Sequence, residues 1–226
     1  MSRILISFLC LTLAGCSKPD DSWYPLQEGY WWQYAVTRYI RGEKHLQKSI
    51  EAMLEPRKIE GELYYPKKRA DGRTDYYQRR DGALFRFDPE SKTSTLVLKE
   101  PVEVGTSWQS PSRIRFLEVT GAFEQTYNRK IKEAIVMEYR IESIDDIVTV
   151  PAGKFTNSIR VNGKGSLYGG GGSLKEFMDL DTINIETIDW YVPGVGLVKS
   201  MRKEYTFPVK FENNYLEVLQ IIRKDS

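Results

Sequence analysis

Residues 135–142 read Ile-Val-Met-Glu-Tyr-Arg-Ile-Glu, and this run decides the fold class. Ile135, Met137, Tyr139 and Ile141 alternate with Val136, Glu138, Arg140 and Glu142. Successive side chains of a β-strand point to opposite faces, so a period of two predicts a strand with one face on a core and one in water. β-branched and aromatic residues, which strands prefer, are plentiful in the chain.

The same alternation recurs on either side of this run. Ala83, Phe85 and Phe87 alternate with Leu84 and Arg86. Near the C-terminus, Met201, Lys203, Tyr205 and Phe207 alternate with Ser200, Arg202, Glu204 and Thr206. Each run again predicts a strand with two unlike faces.

Short turn signals separate the alternating runs. Asp71-Gly72 and Asp81-Gly82 are hairpin dipeptides, and Asn213-Asn214 can adopt the same left-handed turn geometry. Pro151-Ala152-Gly153 and Pro193-Gly194 mark two further turns. We therefore predict an all-β domain of about a dozen antiparallel strands. The exception is 122–134, where apolar residues at four-residue steps fit a short helix or a long hairpin end.

A loop pattern of Pro, an aliphatic residue, Gly and Trp occurs twice. Residues 25–32 read Pro-Leu-Gln-Glu-Gly-Tyr-Trp-Trp, and residues 101–108 read Pro-Val-Glu-Val-Gly-Thr-Ser-Trp. In both copies Pro would end one element, Gly would form a tight turn, and Trp would fill the start of the next strand. No linker separates the two copies, so we expect one continuous sheet and a single domain over 23–226.

Composition limits the chemistry. The 226 residues include 33 Lys+Arg and 31 Asp+Glu, for a net charge of +2, which gives no electrostatic case for a nucleic-acid partner. One His and two Cys leave little for a zinc site or a thiol nucleophile. We therefore predict no metal site, no cofactor and no catalytic residue.

The N-terminus resembles a bacterial lipoprotein signal. Arg3 precedes an apolar stretch that is too short to span a bilayer, and Leu13-Ala14-Gly15-Cys16 is similar to a lipobox. The resemblance implies removal of residues 1–15, acylation of Cys16 with palmitate among its chains, and a short tether over 16–22. Ser17 after the lipidated Cys implies an outer-membrane anchor, with the domain in the periplasm.

Three motifs resemble those of a group of uncharacterised bacterial envelope lipoproteins. They are residues 148–155, Val-Thr-Val-Pro-Ala-Gly-Lys-Phe; residues 190–199, Trp-Tyr-Val-Pro-Gly-Val-Gly-Leu-Val-Lys; and the Pro-Gly-Trp loop that begins at Tyr24. The resemblance implies a single long, strongly curved antiparallel sheet, related to the half-barrel of lipoprotein-carrier proteins. It implies no catalytic residues.

Two clusters are candidate ligand or interface sites. The first is aromatic and follows the tether; its members are Trp23, Tyr24, Trp31 and Trp32. They could form a stacking platform for sugar, an interfacial patch beside the lipid anchor, or alternate core and rim positions of the first strand. The second is basic; Lys67, Lys68, Arg69, Arg79 and Arg80, with Arg86 beyond them, could contact anionic headgroups or form the solvated face of two hairpins.

These observations predict an envelope lipoprotein with a non-catalytic binding or scaffolding role. Its expected partners are the membrane, through Cys16, and a lipid, peptidoglycan or another envelope protein. The alternative is a carrier that holds an acyl chain against a concave apolar sheet. An envelope hydrolase is a third class, and it would need acids or a nucleophile converging in a cleft.

Overall fold

The computed structural model describes residues 20–40, 42–89, 92–115, 135–168, 181–208 and 211–224. The lipobox with Cys16, the segment 122–134 and the four consecutive glycines at 169–172 lie outside the described residues. The prediction for each of them therefore stays a prediction, as does the division of the chain at residues 15 and 22.

The described residues form a β-protein with 13 strands. The first seven are β1 Tyr30–Ile40, β2 Glu43–Met53, β3 Arg57–Ile59, β4 Glu62–Arg69, β5 Thr74–Arg80, β6 Ala83–Asp88 and β7 Thr93–Lys99. The others are β8 Ser107–Ser112, β9 Ile135–Val150, β10 Gly153–Tyr168, β11 Thr182–Val192, β12 Gly196–Phe207 and β13 Glu212–Lys224. Within these ranges the structure has no helix long and apolar enough to cross a bilayer.

All pairings are antiparallel, and twelve of the strands follow one path, β7-β6-β5-β4-β2-β1-β13-β12-β11-β10-β9-β8. The short β3 pairs with β4 beside this path. The two ends of the path approach each other, where the Lys99 ammonium lies 3.3 Å from the Ser107 carbonyl oxygen. The sheet is thus a nearly closed barrel, and the prediction of one strongly curved antiparallel sheet is confirmed.

Most of the predicted turns are confirmed. Asp71-Gly72 joins β4 to β5 and Asp81-Gly82 joins β5 to β6, while Pro151-Ala152 and Pro193-Gly194 end β9 and β11. The prediction at Asn213-Asn214 is wrong, because both residues lie inside β13 and pair with Glu204 and Lys203 of β12.

The glycine and the tryptophan of both Pro-Gly-Trp loops act as predicted. Gly29 and Gly105 have φ values of 86° and 97°, in the left-handed region that favours glycine. Trp32 and Trp108, three residues further on in each loop, are buried in the main core near the starts of β1 and β8. The repeat is therefore a recurrent way of starting a strand in one continuous sheet.

The apolar core fills one end of the barrel. It includes Trp32, Tyr34, Val198 and Leu219, which β1, β12 and β13 bring together from neighbouring strands. Residues 20–28 seal this end, where Tyr24 and Leu26 are buried in the same core. A second, smaller core lies elsewhere and includes Ile135, Met137, Ile183 and Ile185.

Beyond Val198, the inward side chains of β12 are polar, while Met201 and Phe207 face outward. Arg202 is 7% exposed, and Glu204 and Thr206 are 0% exposed, whereas Met201 and Phe207 are 41% and 60% exposed. The alternation of this segment is confirmed, but the buried face is the polar one. The part of the concave face that β12 forms beyond Val198 is therefore polar, unlike the apolar wall that the acyl-carrier alternative requires.

Candidate functional site

A buried lysine stands at the sealed end of the barrel, in a group that we call the Lys67 cluster (Tyr24, Trp32, Glu51, Lys67 and Tyr77). The Lys67 ammonium lies 2.5 Å from the Glu51 carboxylate and donates to the Tyr24 hydroxyl at 2.6 Å. It also lies 5.2 Å from the ring centroids of both Tyr24 and Tyr77 and 6.0 Å from that of Trp32. The pairing satisfies the charge that the core encloses.

The cluster keeps its lysine charged. Burial alone would lower the pKa of the Lys67 ammonium, but the Glu51 carboxylate and the neighbouring tyrosines together raise that pKa well above its usual value. The cleft beside it encloses about 180 Å³, including its open mouth, between Pro25, Gly196 and Leu197. A lysine held as a cation by a carboxylate is a structural element here, because it is neither a free base nor a nucleophile.

The structure also describes the positions of the other predicted site residues. Trp23 packs half-buried on the core. Arg69 is half-buried and lies 3.6 Å from Asp75. Arg79 donates to the Ser22 hydroxyl and the Tyr24 carbonyl oxygen, and so ties the N-terminal segment to β5.

The remaining three lie on the outside of the barrel. Trp31 faces outward on β1 beneath the guanidinium of Arg223, which lies 5.5 Å from its ring centroid. Lys68 is exposed on β4, and Arg80 is exposed on β5 with its guanidinium 4.6 Å from the Phe85 ring. The predicted aromatic and basic clusters are thus each divided between the two faces of the sheet.

A second group of charged side chains occupies the interior beyond the Lys67 cluster. We call it the interior polar cluster; its members are Arg86, Arg115, Tyr139, Thr187, Asp189 and Arg202. The pKa of Tyr139 is raised by burial and then by Asp189, while the three guanidiniums oppose the rise. These charges from β6, β11, β12 and the segment after β8 thus act together at the hydroxyl of Tyr139.

The ion pairs account for only part of the interior charge. Arg202 donates from Nε to Glu204 Oε1 at 2.6 Å, and further to the Ser112 hydroxyl and the Arg113 carbonyl oxygen. The guanidiniums of Arg86 and Arg115 take part in none of the ion pairs between described residues. Arg115 lies instead over the ring of Tyr215 at 5.5 Å. Both arginines are exposed to solvent.

Three buried hydrogen-bond donors, two on β8 and one on β11, have no partner among the described residues. They are the indole N–H of Trp108 and the hydroxyls of Ser110 and Thr187. The residues are 6%, 2% and 7% exposed, so bulk water does not satisfy them. Trp108 stacks on Tyr139 with ring centroids 5.6 Å apart. An unsatisfied buried donor is costly, and such donors are a feature of sites that receive a ligand.

A glycine in β10 makes room for this arrangement. A Cβ at Gly163 would lie 2.4 Å from Thr187 Oγ1 and 2.6 Å from the Tyr139 ring. Gly163 pairs with Tyr139 on one side and Thr187 on the other. The side chains of Tyr139 and Thr187 therefore lie over the backbone of Gly163, which has no side chain of its own.

Asp189 is the interior acid most affected by its surroundings. Burial raises its pKa from 3.8 to about 6, although a hydrogen bond from Ser200 and the charges of Arg115 and Arg202 act in the opposite direction. Ser200 and Glu217 stand in register beside it, and burial also raises the pKa of Glu217. The guanidinium of Arg115, which joins no ion pair between described residues, thus acts on both of these half-buried carboxyls.

The raised pKa predicts how stability depends on pH. A carboxyl whose folded pKa exceeds its unfolded pKa destabilises the fold as pH rises from about 4 through 6. Asp189→Asn, which keeps the size of the side chain, should raise the free energy of unfolding by about 2 kcal/mol at about pH 8. At about pH 4 the variant and the parent should be equal. Urea unfolding at both pH values measures this, and a gain of equal size at both would contradict it.

Comparisons with known proteins identify no family for this chain, and they find solved structures of low sequence identity. No protein-family model and no curated protein matches it. One solved structure that resembles it is an inferred lipoprotein from Parabacteroides distasonis ATCC 8503, 14% identical, with 91% of this chain and 100% of that chain covered and a TM-score of 0.49. Another is an inferred exported protein with a YmcC-like fold from Bacteroides fragilis NCTC 9343, 15% identical, with 89% and 98% covered and a TM-score of 0.43.

Sequence reasoning missed most of the interior polar cluster. Arg86 belonged to the basic stretch, but Arg115, Asp189, Glu217 and Tyr139 stood out in no motif. The available signal was the alternation of β12, in which Arg202 and Glu204 occupy one face. That signal could not be assigned to the inside without the register of the neighbouring strands.

Proposed function

We propose that this protein is a lipid-anchored envelope protein that binds a small, oxygen-rich anion inside its barrel without transforming it chemically. The observation that carries the proposal is the pair of interior guanidiniums, Arg86 and Arg115, that join no ion pair among the described residues, beside three buried donors that lack partners. Guanidiniums hold carboxylates and phosphates through two parallel hydrogen bonds.

The rest of the interior polar cluster suits such a ligand. Asp189, with a pKa of about 6, gains a proton on mild acidification and then donates a hydrogen bond instead of repelling an anion. Trp108 and Thr187 supply N–H and O–H groups to further ligand oxygens. Binding should therefore strengthen as the pH falls towards 6.

The acyl-carrier alternative fits this interior less well. An alkyl chain lying there would separate the charges of Arg86, Arg115, Asp189 and Glu217 from water and offer them no hydrogen bonds. Burying polar groups without partners costs several kcal/mol each. The apolar residues of the described barrel pack against one another in the two cores instead of facing an open concave surface.

The anchoring part of the proposal rests on the lipobox-like sequence before Cys16. An acylated Cys16 would hold the barrel at the membrane through its fatty acyl chains. The outer membrane, with the barrel on the periplasmic side, is the location that Ser17 supports.

Native mass spectrometry of the full chain, purified from membranes in detergent, tests the ligand. We expect a water-soluble anion to be released on denaturation of the parent, and about tenfold less in the Arg86→Gln/Arg115→Gln variant. Arg80→Gln, on the outer face, is the matched control and should retain the parent's amount. Release of a stoichiometric lipid into the organic phase would instead support the carrier alternative.

A further inference from the structure

The outer face of four adjacent strands carries basic and apolar side chains with almost no acid. The strands lie in the order β2-β1-β13-β12, and all four are described throughout. Their register places one set of side chains inward with Trp32, Glu51, Glu204 and Glu217, and the other set outward. We call the outward set of these four strands the lysine-rich outer face.

Apolar side chains are spread over the lysine-rich outer face, among its cations. Leu46, Ile50, Met201 and Ile221 are 71%, 46%, 41% and 37% exposed. Leu46 pairs through Thr37 with Leu216, which in turn pairs with Met201, so three of the four residues in this row across the strands are apolar. Four strands span about 14 Å, which makes this a continuous patch rather than scattered surface residues.

Cations surround this patch. Lys44 and Lys48 alternate with Leu46 and Ile50 along β2, and Lys199 and Arg223 face outward on β12 and β13. Glu212 is the one acid among the outward residues of these four fully described strands, and it lies at the far rim, 3.4 Å from Lys203. The other acids of β2, β12 and β13 share the inward set. The sheet thus separates charge across its thickness.

Residues 20–22, at the start of the described part of the chain, lie beside one end of the lysine-rich outer face. The Ser22 carbonyl oxygen accepts a hydrogen bond from Gly194 N–H at 2.8 Å, in the turn that leads into β12. Asp20 lies four residues after Cys16, and an extended chain of that length covers at most about 14 Å. An acylated Cys16 would therefore hold this end of the barrel against the bilayer.

We infer that the lysine-rich outer face lies on the anionic surface of the membrane that holds Cys16. The inference rests on the anchoring part of the proposed function. Apolar side chains enter the headgroup region while lysines reach the lipid phosphates. Trp31, beneath Arg223, takes the interfacial position that tryptophan prefers.

Thiol accessibility tests the inference in the full acylated chain. The sulfur of Cys16 is consumed by acylation and Cys10 lies in the removed segment, so an introduced cysteine is the only thiol. Leu46→Cys and Met201→Cys probe the lysine-rich outer face, and Lys164→Cys probes the outward face of β10 as the control. Each variant is reconstituted in phosphatidylglycerol vesicles and labelled with a membrane-impermeant maleimide.

We expect vesicles to slow the labelling of Leu46→Cys and Met201→Cys by about fivefold relative to detergent, and to leave Lys164→Cys unchanged. Replacing Lys44, Lys48 and Lys199 with glutamine should remove most of this protection. If the chain sediments with vesicles but Leu46→Cys is labelled as fast as in detergent, the inferred docking of the lysine-rich outer face is wrong. Anchoring through Cys16 is then still supported. If the parent chain does not sediment and Cys10 is labelled, anchoring through Cys16 is wrong. The docking inference, which depends on that anchor, is then wrong as well.

Discussion

Replacement of Lys67 with methionine is expected to lower the free energy of unfolding by about 3 kcal/mol, because it leaves the Glu51 carboxylate in a low-dielectric core without its counter-ion. Glu51 Oε2 lies 2.5 Å from the lysine, and the side chains are 12% and 9% exposed. The variant also leaves the Tyr24 hydroxyl without the ammonium beside it. Urea unfolding at neutral pH, followed by tryptophan fluorescence, measures the change.

Two variants distinguish a lost ion pair from lost packing. Lys68→Met removes the neighbouring lysine from the outer face and should change stability by less than about 0.5 kcal/mol. Lys67→Met combined with Glu51→Leu removes both charges and should recover most of the loss, because an apolar pair of similar volume replaces a buried ion pair well. A single Lys67→Met variant as stable as Lys68→Met would show that the core does not depend on this pair.

Gly163→Ala is the second substitution with a large expected effect. The new methyl group would overlap Thr187 Oγ1, at 2.4 Å, and the Tyr139 ring, at 2.6 Å, so one of these side chains or the strand itself must move. Overpacking of this kind costs about 1–3 kcal/mol, and we expect about 2–3 kcal/mol here because the overlap occurs in two directions. Thermal unfolding of the parent and the variant under identical conditions gives the difference.

The same substitution should also affect the interior polar cluster. Displacing Tyr139 or Thr187 moves groups that we assign to ligand binding, so Gly163→Ala should reduce the amount of anion that copurifies. Lys164→Ala, next along β10 but on the outer face, is the matched control and should change neither property. Thr187→Ala added to Gly163→Ala should restore part of the stability, since it removes the nearest overlapping atom. Unchanged stability in Gly163→Ala would mean that the two side chains have room to move aside.

Several features of the fold could be predicted from residues close together in the chain. A period of two along 135–142 predicts a strand, and the dipeptides at 71–72 and 81–82 predict hairpins, because both depend on local backbone geometry. The two Pro-Gly-Trp loops are predictable for the same reason, since a left-handed glycine and a following tryptophan are local requirements. The error at Asn213-Asn214 arose where pairing with β12 overrides the local turn preference.

The candidate site was less accessible to such reasoning. The sequence identifies Tyr24, Trp32 and Lys67 as candidates, but their contact depends on segments far apart in the chain: residues 20–28, β1 and β4. Arg115 and Asp189 carried no motif, because a cluster of charges in a barrel comes from single residues on many strands. Sequence spacing does not encode that convergence; strand order and register do.

The sequence by itself determined that the chain is a β-protein, where most of its turns lie, and that each strand has two unlike faces. Only the tertiary structure decided which face is inside. In β12 the closure of the sheet turns Arg202 and Glu204 inward and Met201 outward, against the usual preference of the side chains. Between bulges, a strand cannot reverse one residue without reversing its neighbours, so the orientation of β12 follows from its register with the adjacent strands. The buried arginine and glutamate then stabilise each other as an ion pair at 2.6 Å.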